Sequence, residues 1–282
     1  MKKVITGILF IPALAWGQET VELGPLQADW YPADGETAVI VLHGTLAHKR
    51  MEIIQTFSEL LNEDYDVPVL APNLALNEPD RAGMVNCDLV HDHTHMDAVD
   101  EISQWVSYLE TQGYSKIALL AHSRGGAQLA KYLQGASDSV TAAGLVAPAT
   151  YDAADAAERY QQATSKSLNS VLNEARSMSA DATFVPPRFV YCENAEVTAQ
   201  AFLGYHAPNS DFDTPKLLQS VSIPTQVYIG SEDDVVSDLA EKLDASGFYD
   251  QGDVIVVDGA DHFFRDLYAD DVISEFTSFI GY

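Results

Sequence analysis

The sequence predicts an α/β fold, in which a mostly parallel, doubly wound β-sheet is covered by helices on both faces. Short apolar segments alternate along the chain with segments whose apolar residues recur at helical spacing. The apolar segments are hydrophobic at nearly every position, which is typical of strands buried on both faces of a parallel sheet. A segment at about residues 150–220 interrupts the alternation and is interpreted as an insertion into a single domain.

The predicted strands are the short apolar segments, at residues 38–42, 67–70, 116–120, 142–146, 226–229 and 254–257. The predicted helices have apolar residues three or four positions apart, at residues 51–61, 94–113, 128–133 and 272–280. The second of these helices begins at Thr94, which has the spacing of a capping box with Asp97, and ends at Gly113.

The insertion at about residues 150–220 is predicted to be a helical lid. Its first part has apolar residues at helical spacing, namely Ala153, Ala156, Tyr160, Leu168, Val171, Leu172, Ala175 and Met178. An insertion that follows a strand lies beyond the carboxyl ends of the strands, where α/β sheets bind ligands. The alternative is an insertion that packs against the domain and has no role at the site.

The N-terminus (1–17) has the features of a secretory signal peptide. A basic start precedes an apolar stretch, residues 4–16, that is too short to span a bilayer. A small-x-small pattern ends at Gly17, so cleavage is expected after Gly17 or, alternatively, after Ala15. We therefore expect a mature α/β domain of residues 18–282 that is exported, periplasmic or secreted, without a stable membrane anchor.

The chain is strongly acidic, with 15 Lys and Arg residues against 42 Asp and Glu residues and a formal net charge of −27 at pH 7. Such a charge repels nucleic acids and anionic membrane surfaces, so neither is expected as a partner. The same argument favours a small-molecule or acyl-ester substrate over a polyanion. Composition leaves the oligomeric state open.

Ser123 lies in a turn between the predicted strand at 116–120 and the helix that follows. Ala121 and Gly125 flank it, and small residues are needed there because a sharp strand-to-helix turn has no room for larger side chains. Such a turn lifts the serine hydroxyl above the sheet edge. It also leaves the backbone N–H of Arg124 free at the start of a helix, where anions are favoured. Ser123 is therefore a candidate nucleophile.

Two further polar residues follow later strands. Asp233 comes shortly after the strand at 226–229, and His262 comes after the strand at 254–257. Because the carboxyl ends of parallel strands meet at one edge of a sheet, both side chains are expected near Ser123. A serine nucleophile needs a base, and the base needs an orienting acid, so these residues complete a candidate catalytic set.

In this order the residues resemble the α/β-hydrolase superfamily over about residues 38–280. The resemblance is carried by four motifs at strand ends, His43-Gly44-Thr45, Ala121-His122-Ser123-Arg124-Gly125, Gly230-Ser231-Glu232-Asp233 and Gly259-Ala260-Asp261-His262-Phe263. It implies that Ser123 is the nucleophile, His262 the general base and then acid, and Asp233 the orienting carboxylate. Asp233 is preferred to Glu232 and Asp234 because the family's acid falls three residues after this glycine.

The resemblance also implies an oxyanion hole made by the backbone N–H groups of Arg124 and Thr45, with Leu46 as the alternative to Thr45. It implies acyl transfer to water through an acyl-enzyme, because a serine cannot supply the carboxylate of the aspartate-dependent branches. We expect a carboxylic ester hydrolase without a cofactor. Thioesterase, lipase and peptidase are alternatives on the same machinery, and a non-catalytic binding protein on the same fold is an alternative of another class.

Five residues are candidates for the substrate pocket, namely His43, Leu46, His122, His91 and His93. His95 continues the alternation of His91 and His93, which in an extended strand would place the three imidazoles on one face, as in a zinc site. The helix predicted from residue 94 already includes His95, however, so its side chain is expected to point elsewhere. No metal site is therefore predicted.

Cys87 and Cys192 are the two cysteines of the chain. An even number of cysteines in an exported protein suggests a disulfide. The bridge would join the loop after the strand at 67–70 to the lid. Two free thiols are the alternative.

Overall fold

The computed structural model describes residues 18–250 and 252–282. The signal peptide predicted for residues 1–17 lies outside the described residues. Among the residues described, no helix is both long enough and apolar enough to cross a bilayer.

The strands, in chain order, are β1 (Glu19–Leu23), β2 (Leu26–Tyr31), β3 (Thr37–Leu42), β4 (Val69–Pro72), β5 (Lys116–His122), β6 (Val140–Val146), β7 (Thr183–Phe184), β8 (Arg188–Phe189), β9 (Cys192–Glu193), β10 (Val197–Thr198), β11 (Thr225–Gly230) and β12 (Asp253–Val257). The helices are α1 (Glu52–Tyr65), α2 (Asp97–Thr111), α3 (Arg124–Leu133), α4 (Ala153–Thr164), α5 (Leu168–Arg176), α6 (Ala199–His206), α7 (Thr214–Leu218), α8 (Leu239–Ser246) and α9 (Leu267–Ile280).

The central sheet has the strand order β1-β2-β4-β3-β5-β6-β11-β12. Every pairing from β4 through β12 is parallel, whereas β1 pairs with β2 and β2 with β4 in antiparallel fashion. The predicted mostly parallel sheet with helices is confirmed. The sequence prediction missed the antiparallel edge because β1 is mostly exposed and lacks the apolar run that marked the buried strands.

The buried strands form the centre of the main core. All six residues of β3 are buried, and β5 is buried from its second residue to its last. Helix α2 buries the face that its sequence pattern predicts, made by Ala98, Ile102, Trp105, Val106 and Leu109. Helix α1 packs against α9, and α2 packs against α3. The carboxyl ends of the parallel strands consequently share one edge of the sheet, and the loops after them form the candidate site.

Helix α2 begins later than the capping pattern predicts. Its N-cap is Met96, and the backbone N–H and the hydroxyl of Thr94 both donate to the Asp97 carboxylate, at 2.8 and 2.6 Å. The Thr94 side chain therefore binds the Asp97 carboxylate instead of accepting from a helix N–H. His95 lies in the turn before the helix, so the expectation that it is helical is wrong.

The insertion, residues 147–224 between β6 and β11, contains α4 to α7 and the short strands β7 to β10. It has its own apolar cluster, separate from the main core, in which Tyr160 of α4 packs near Leu172 of α5. Leu46, Leu76 and Val85 from loops of the main domain are part of this cluster. The insertion is thus packed onto the strand ends through an apolar interface.

Two further links join the insertion to the loop before α2. Cys87 and Cys192 form a disulfide, with their Cα atoms 5.4 Å apart. Beside it, the His91 N–H donates to the Glu196 carbonyl and the Thr198 N–H donates to the His91 carbonyl, both at 2.9 Å. The loop before α2 is therefore held to the insertion by covalent and backbone bonds.

Candidate active site

Ser123 lies at the sharp turn between β5 and α3. Its backbone has φ 56° and ψ −126°, a conformation that L-residues rarely adopt and that costs about 1–3 kcal/mol. A Cβ atom added to Gly125 would collide with the carbonyl oxygen of His43, so the turn requires glycine there. The strained turn and the glycine are what the elbow pattern in the sequence predicts.

The structure brings Ser123, His262 and Asp233 together from three separate loops. His262 Nε2 lies 3.0 Å from Ser123 Oγ, and His262 Nδ1 lies 2.8 Å from Asp233 Oδ2. Ser123 is half-buried, while His262 and Asp233 are 5 % and 9 % exposed. The Nδ1–H of His262 therefore donates to the carboxylate, which leaves Nε2 as the acceptor of the serine hydroxyl proton.

The Asp233 carboxylate is held by the turn that follows β11. Its Oδ1 accepts hydrogen bonds from the backbone N–H groups of Val235 (2.8 Å) and Val236 (3.0 Å). Burial raises the pKa of Asp233, but the hydrogen bonds from His262 and the two N–H groups outweigh it and lower the pKa below its usual value. Glu232 and Asp234 on either side are exposed. In this geometry Asp233 is the acid that contacts the imidazole.

The residues of the predicted oxyanion hole face one another. Among the described residues, the backbone N–H groups of Thr45 and Arg124 donate to no other group of the protein. The Arg124 side chain links the two residues, because its Nε donates to Thr45 Oγ1 at 3.1 Å. The N–H of the alternative donor, Leu46, likewise donates to no described residue, while its carbonyl accepts from the Val85 N–H at 3.0 Å.

The loop that carries Thr45 is held by a buried polar pair. His43 Nδ1 donates to the Gly44 carbonyl at 3.0 Å, and its Nε2 accepts from the Leu74 N–H at 3.0 Å. Burial lowers the pKa of His43 to about 3, so the imidazole is neutral. Arg81 donates to the carbonyls of Ala47 and Leu74 on the same two loops. His43 and Arg81 therefore hold the loop that carries Thr45 in place.

His122, the residue before the serine, supports the base. Its Nε2 donates to the backbone carbonyl of His262 at 2.9 Å. It is buried, and burial lowers its pKa to about 4, so the ring is neutral. His122 thus positions the loop that carries His262.

The alternating histidines have different surroundings. His93 Nδ1 lies 3.0 Å from the hydroxyl of Tyr205, whose ring lies 5.5 Å from the Arg124 guanidinium. His95 Nδ1 lies 3.4 Å from Arg124 Nη1. Burial lowers the pKa of His93 and His95 to about 3, so neither imidazole is charged. Tyr205 and His95 are therefore uncharged neighbours of the Arg124 side chain, and His93 contacts it only through Tyr205.

His91 is buried against Phe189 and does not join the other two in a common set of donors. Over residues 18–250 and 252–282, no group of three or more His, Cys, Asp or Glu side chains is placed to hold a metal ion. All three imidazoles are buried and contact aromatic residues of the insertion, Phe189 or Tyr205.

A cleft of about 410 Å³ opens beside the serine turn. Its wall combines residues of the main domain with residues of the insertion, including His95, Arg124, Ala149, Arg159, Arg188, Tyr205 and His206. Ser123 and His262 are not part of this wall. The five residues that the sequence suggested for a pocket do not line the cleft either, and all of them are buried, namely His43, Leu46, His122, His91 and His93.

Sequence reasoning missed Arg81, Tyr205 and the arginines of the insertion. Arg81 lies in a polar loop, where an arginine normally faces solvent, and no local pattern marks it as buried. Tyr205 fits a helical apolar pattern, which does not reveal that its ring faces Arg124 across the two parts of the chain. The signal in each case is a tertiary contact.

The comparisons with known proteins agree with this architecture. A model of the alpha/beta hydrolase family matches residues 39–275. No curated protein sequence matches the chain significantly. The solved structure of Est1E from Butyrivibrio proteoclasticus superposes with a TM-score of 0.62 and 17% identity, covering 94% of this chain and 100% of its own.

Two other solved structures are equally similar in fold. The esterase PF2001 from Pyrococcus furiosus has a TM-score of 0.64 and 14% identity, covering 98% of this chain and 95% of its own. DcsB, solved with its substrate analogue, has a TM-score of 0.68 and 15% identity, covering 94% of this chain and 98% of its own. At such identities they share the fold alone. The family match extends over most of the sequence and includes every motif of the resemblance, so the chain belongs to the alpha/beta hydrolase family.

Proposed function

We propose that this protein is a serine hydrolase that cleaves carboxylic esters through an acyl-enzyme. The observation that carries the proposal is the hydrogen-bonded series from Ser123 Oγ through His262 to Asp233, with distances of 3.0 and 2.8 Å. Beside it are two backbone N–H groups, of Thr45 and Arg124, without an acceptor among the described residues. A nucleophile, a base, an orienting acid and an oxyanion site are what acyl transfer requires.

In the first half of the reaction, Ser123 Oγ attacks the ester carbonyl carbon while His262 Nε2 takes the hydroxyl proton. The N–H groups of Thr45 and Arg124 stabilise the oxyanion, and one such donor contributes about 3 kcal/mol to transition-state stabilisation. Protonated His262 then gives its proton to the leaving alcohol. In the second half, His262 removes a proton from water, whose oxygen attacks the acyl carbon. The bond from this carbon to Ser123 Oγ then breaks, His262 returns the proton to Ser123 Oγ, and the acid is released.

The choice of an ester among acyl substrates is supported by the names of structural neighbours, since Est1E and PF2001 share the fold and PF2001 is named an esterase. Thioesters, lipids and peptides could be cleaved by the same groups. A non-catalytic binding role is the alternative of another class. A binding role would not explain why a buried carboxylate and a buried imidazole are aligned on the serine hydroxyl.

The proposal is tested by labelling the purified protein with a fluorophosphonate probe and assaying it with a panel of para-nitrophenyl esters. We expect one label per chain, on Ser123, and ester hydrolysis that is lost in proportion to labelling. Heat-denatured protein is the control, because labelling of an activated serine needs the folded site. Native protein that neither takes up the probe nor cleaves any ester would contradict the proposal.

We further propose that the chain is exported and that export leads to oxidation of the cysteines. In an oxidising compartment the Cys87–Cys192 disulfide, which closes a loop with a sequence separation of 105, is expected to form and persist. The chain-entropy model values such a loop at about 4 to 5 kcal/mol of unfolding free energy. The insertion should respond first to reduction, because the bridge joins it to the loop before α2.

We predict that the double variant Cys87→Ser, Cys192→Ser unfolds at lower temperature than the wild type, and that reductant lowers the melting temperature of the wild type alone. The variant is the control for any other effect of the reductant. The intact mass of the exported protein checks the export and the disulfide at once. It shows whether the chain begins near Gln18, and it is lower by two hydrogen atoms when the disulfide has formed. Two titratable thiols in native, unreduced protein would exclude the bridge, and an unprocessed N-terminus would exclude the export.

A further inference from the structure

The cleft beside Ser123 has a charge opposite to that of the protein. The chain carries 42 acidic residues against 15 basic ones, yet the wall of the cleft contains Arg124, Arg159 and Arg188 and no Asp or Glu. Acidic residues are almost three times as common in the chain as basic ones. A cleft with three arginines and no carboxylate therefore has a charge that the overall composition of the chain does not predict.

None of these guanidinium groups forms an ion pair with a described residue. The Arg159 side chain has no hydrogen bond within the described part of the chain, and the Arg188 side chain donates only from Nε to the Val190 carbonyl, at 2.8 Å. Arg124 donates to Thr45 and to His95. Of the ten described Lys and Arg residues outside the cleft, six have carboxylate partners, namely Lys49, Arg50, Lys116, Lys131, Lys242 and Arg265.

The acidic residues close to Arg159 in sequence lie outside the cleft. Asp152, Asp155 and Glu158 are exposed, do not line the cleft and form no ion pair with Arg159. Asp152 accepts from the N–H groups of Ala154 and Asp155 as the N-cap of α4, and these hydrogen bonds, followed by Lys242 and Arg159, lower its pKa. The Arg159 guanidinium is therefore attracted to Asp152 without being hydrogen-bonded to it, and its N–H donors have no described acceptor.

The two histidines of the cleft wall add no charge of their own near neutral pH. Burial, followed by the neighbouring Arg124 guanidinium, lowers the pKa of His95 to about 3. Burial, Arg124 and Arg188 lower the pKa of His206 to about 3 as well, which places two of the guanidinium groups near the same imidazole. The positive charge in the cleft therefore comes from its arginines and not from its histidines.

The cleft adjoins the residues around the nucleophile. Its wall does not include Ser123 or His262, but Arg124 follows Ser123 directly, and the N–H of Ala149, another wall residue, donates to the Ser123 carbonyl at 3.0 Å. Arg159 is carried by α4 and Arg188 by β8, so both belong to the insertion. A volume of about 410 Å³ is within the range of small-molecule sites. We therefore take this cleft as the space for the part of the substrate that is remote from the scissile bond.

We propose that the cleft selects small esters that carry a carboxylate, and that Arg159 and Arg188 are the residues that bind this carboxylate. A guanidinium matches a carboxylate with two parallel N–H donors, and the pair is stronger than a neutral hydrogen bond. The inference rests on the proposed ester hydrolysis at Ser123. It refines the expectation from net charge, because salt screens the repulsion between surface charges separated by more than about 8–10 Å, whereas a pair in direct contact in a partly buried cleft is screened less.

The test compares kcat/KM for ester pairs that differ only in charge. In the first pair the charge is on the acyl side. Its charged member is the para-nitrophenyl monoester of glutaric acid, and its neutral member is the para-nitrophenyl ester of a branched acid of the same shape. In the second pair the charge is on the alcohol side. Its charged member is the acetyl ester of para-hydroxybenzoate, and its neutral member is the acetyl ester of para-isopropylphenol. Spontaneous hydrolysis is measured with Ser123→Ala protein and subtracted. In wild-type protein we expect the charged member of at least one pair to be preferred.

The ratio of charged to neutral kcat/KM for the preferred pair is expected to fall about 10-fold in Arg159→Met and in Arg188→Met, because each removes a charge-assisted contact. Arg159→Lys should retain part of the preference, because lysine keeps the positive charge but lacks the two parallel N–H donors of the guanidinium group. Arg176→Met is the matched control. Arg176 is exposed on α5 of the same insertion and lies outside the cleft, so its removal changes the net charge equally and should leave the ratio unchanged.

Two results would overturn the inference alone. One is a wild type that labels with fluorophosphonate and cleaves neutral esters but prefers no charged ester. The other is a preference for the charged ester that falls as much in Arg176→Met as in Arg159→Met. Such a result would mean that the preference depends on the net charge of the protein and not on the cleft. A wild type that cleaves no ester and takes no label overturns the proposed function instead. The two failures are thereby distinguishable.

Discussion

Replacing Ser123 with alanine is expected to abolish ester hydrolysis and fluorophosphonate labelling, with kcat lower by on the order of a million-fold. The expectation follows from geometry, because Ser123 Oγ is the atom 3.0 Å from His262 Nε2 and no acyl-enzyme can form without it. Alanine keeps the Cβ atom and removes only the hydroxyl oxygen. The strained backbone of the turn therefore meets no new clash, and the melting temperature should change little.

The measurement is a para-nitrophenyl ester assay with probe labelling and a thermal melt on the same preparation. Ser115→Ala is the matched control, since Ser115 is exposed at the opposite end of β5 and makes no side-chain hydrogen bond within the described residues. It should retain wild-type turnover. Wild-type rates in the Ser123→Ala protein would refute the assignment of the nucleophile and with it the mechanism.

Asp233→Asn is expected to lower kcat by roughly ten thousand-fold, while Asp234→Asn leaves it near the wild-type value. The Asp233 carboxylate accepts the Nδ1–H of His262 at 2.8 Å and stabilises the imidazolium that forms during attack. An amide in its place has one donor end and no charge, so it favours the wrong tautomer and orientation of the ring. Asp234 is exposed, so the same change there alters only the surface.

Steady-state kinetics of the two variants distinguish the adjacent acids. Because Asp233 acts on the proton transfer, its loss should appear in kcat rather than in KM. Fluorophosphonate labelling should slow in parallel, since it depends on the same base. A loss confined to Asp234→Asn would move the acid by one residue, and equal losses would mean that the turn, not one carboxylate, is responsible.

The sequence alone determined the fold class, because its signals are local and add up along the chain. An all-apolar strand such as Thr37–Leu42 and a helix with one apolar face such as Asp97–Thr111 can each be buried in few ways. Once the strands are parallel, their carboxyl ends must share an edge. That geometric fact is why Ser123, Asp233 and His262 could be predicted to meet although they are far apart in sequence.

Prediction was less successful where the local signal was weak or matched two structures. Strand β1 was missed because an exposed, charged edge strand resembles a loop. The capping-box spacing at Thr94 also fits a threonine that binds the Asp97 carboxylate directly, and the helix begins at Asp97. The position of His95 depended on that difference, so its place in the cleft wall could not be inferred.

The character of the cleft was decided by tertiary structure alone. Arg124 adjoins the serine in sequence, but Arg159 and Arg188 reach the same space only because the insertion folds back over the strand ends. The net charge of −27 is a sum over the whole surface, whereas a ligand meets the few side chains within contact distance. The sequence thus determined which strand ends meet and which atoms could react there, because these follow from local patterns. The long-range packing of the insertion determined which charges surround them.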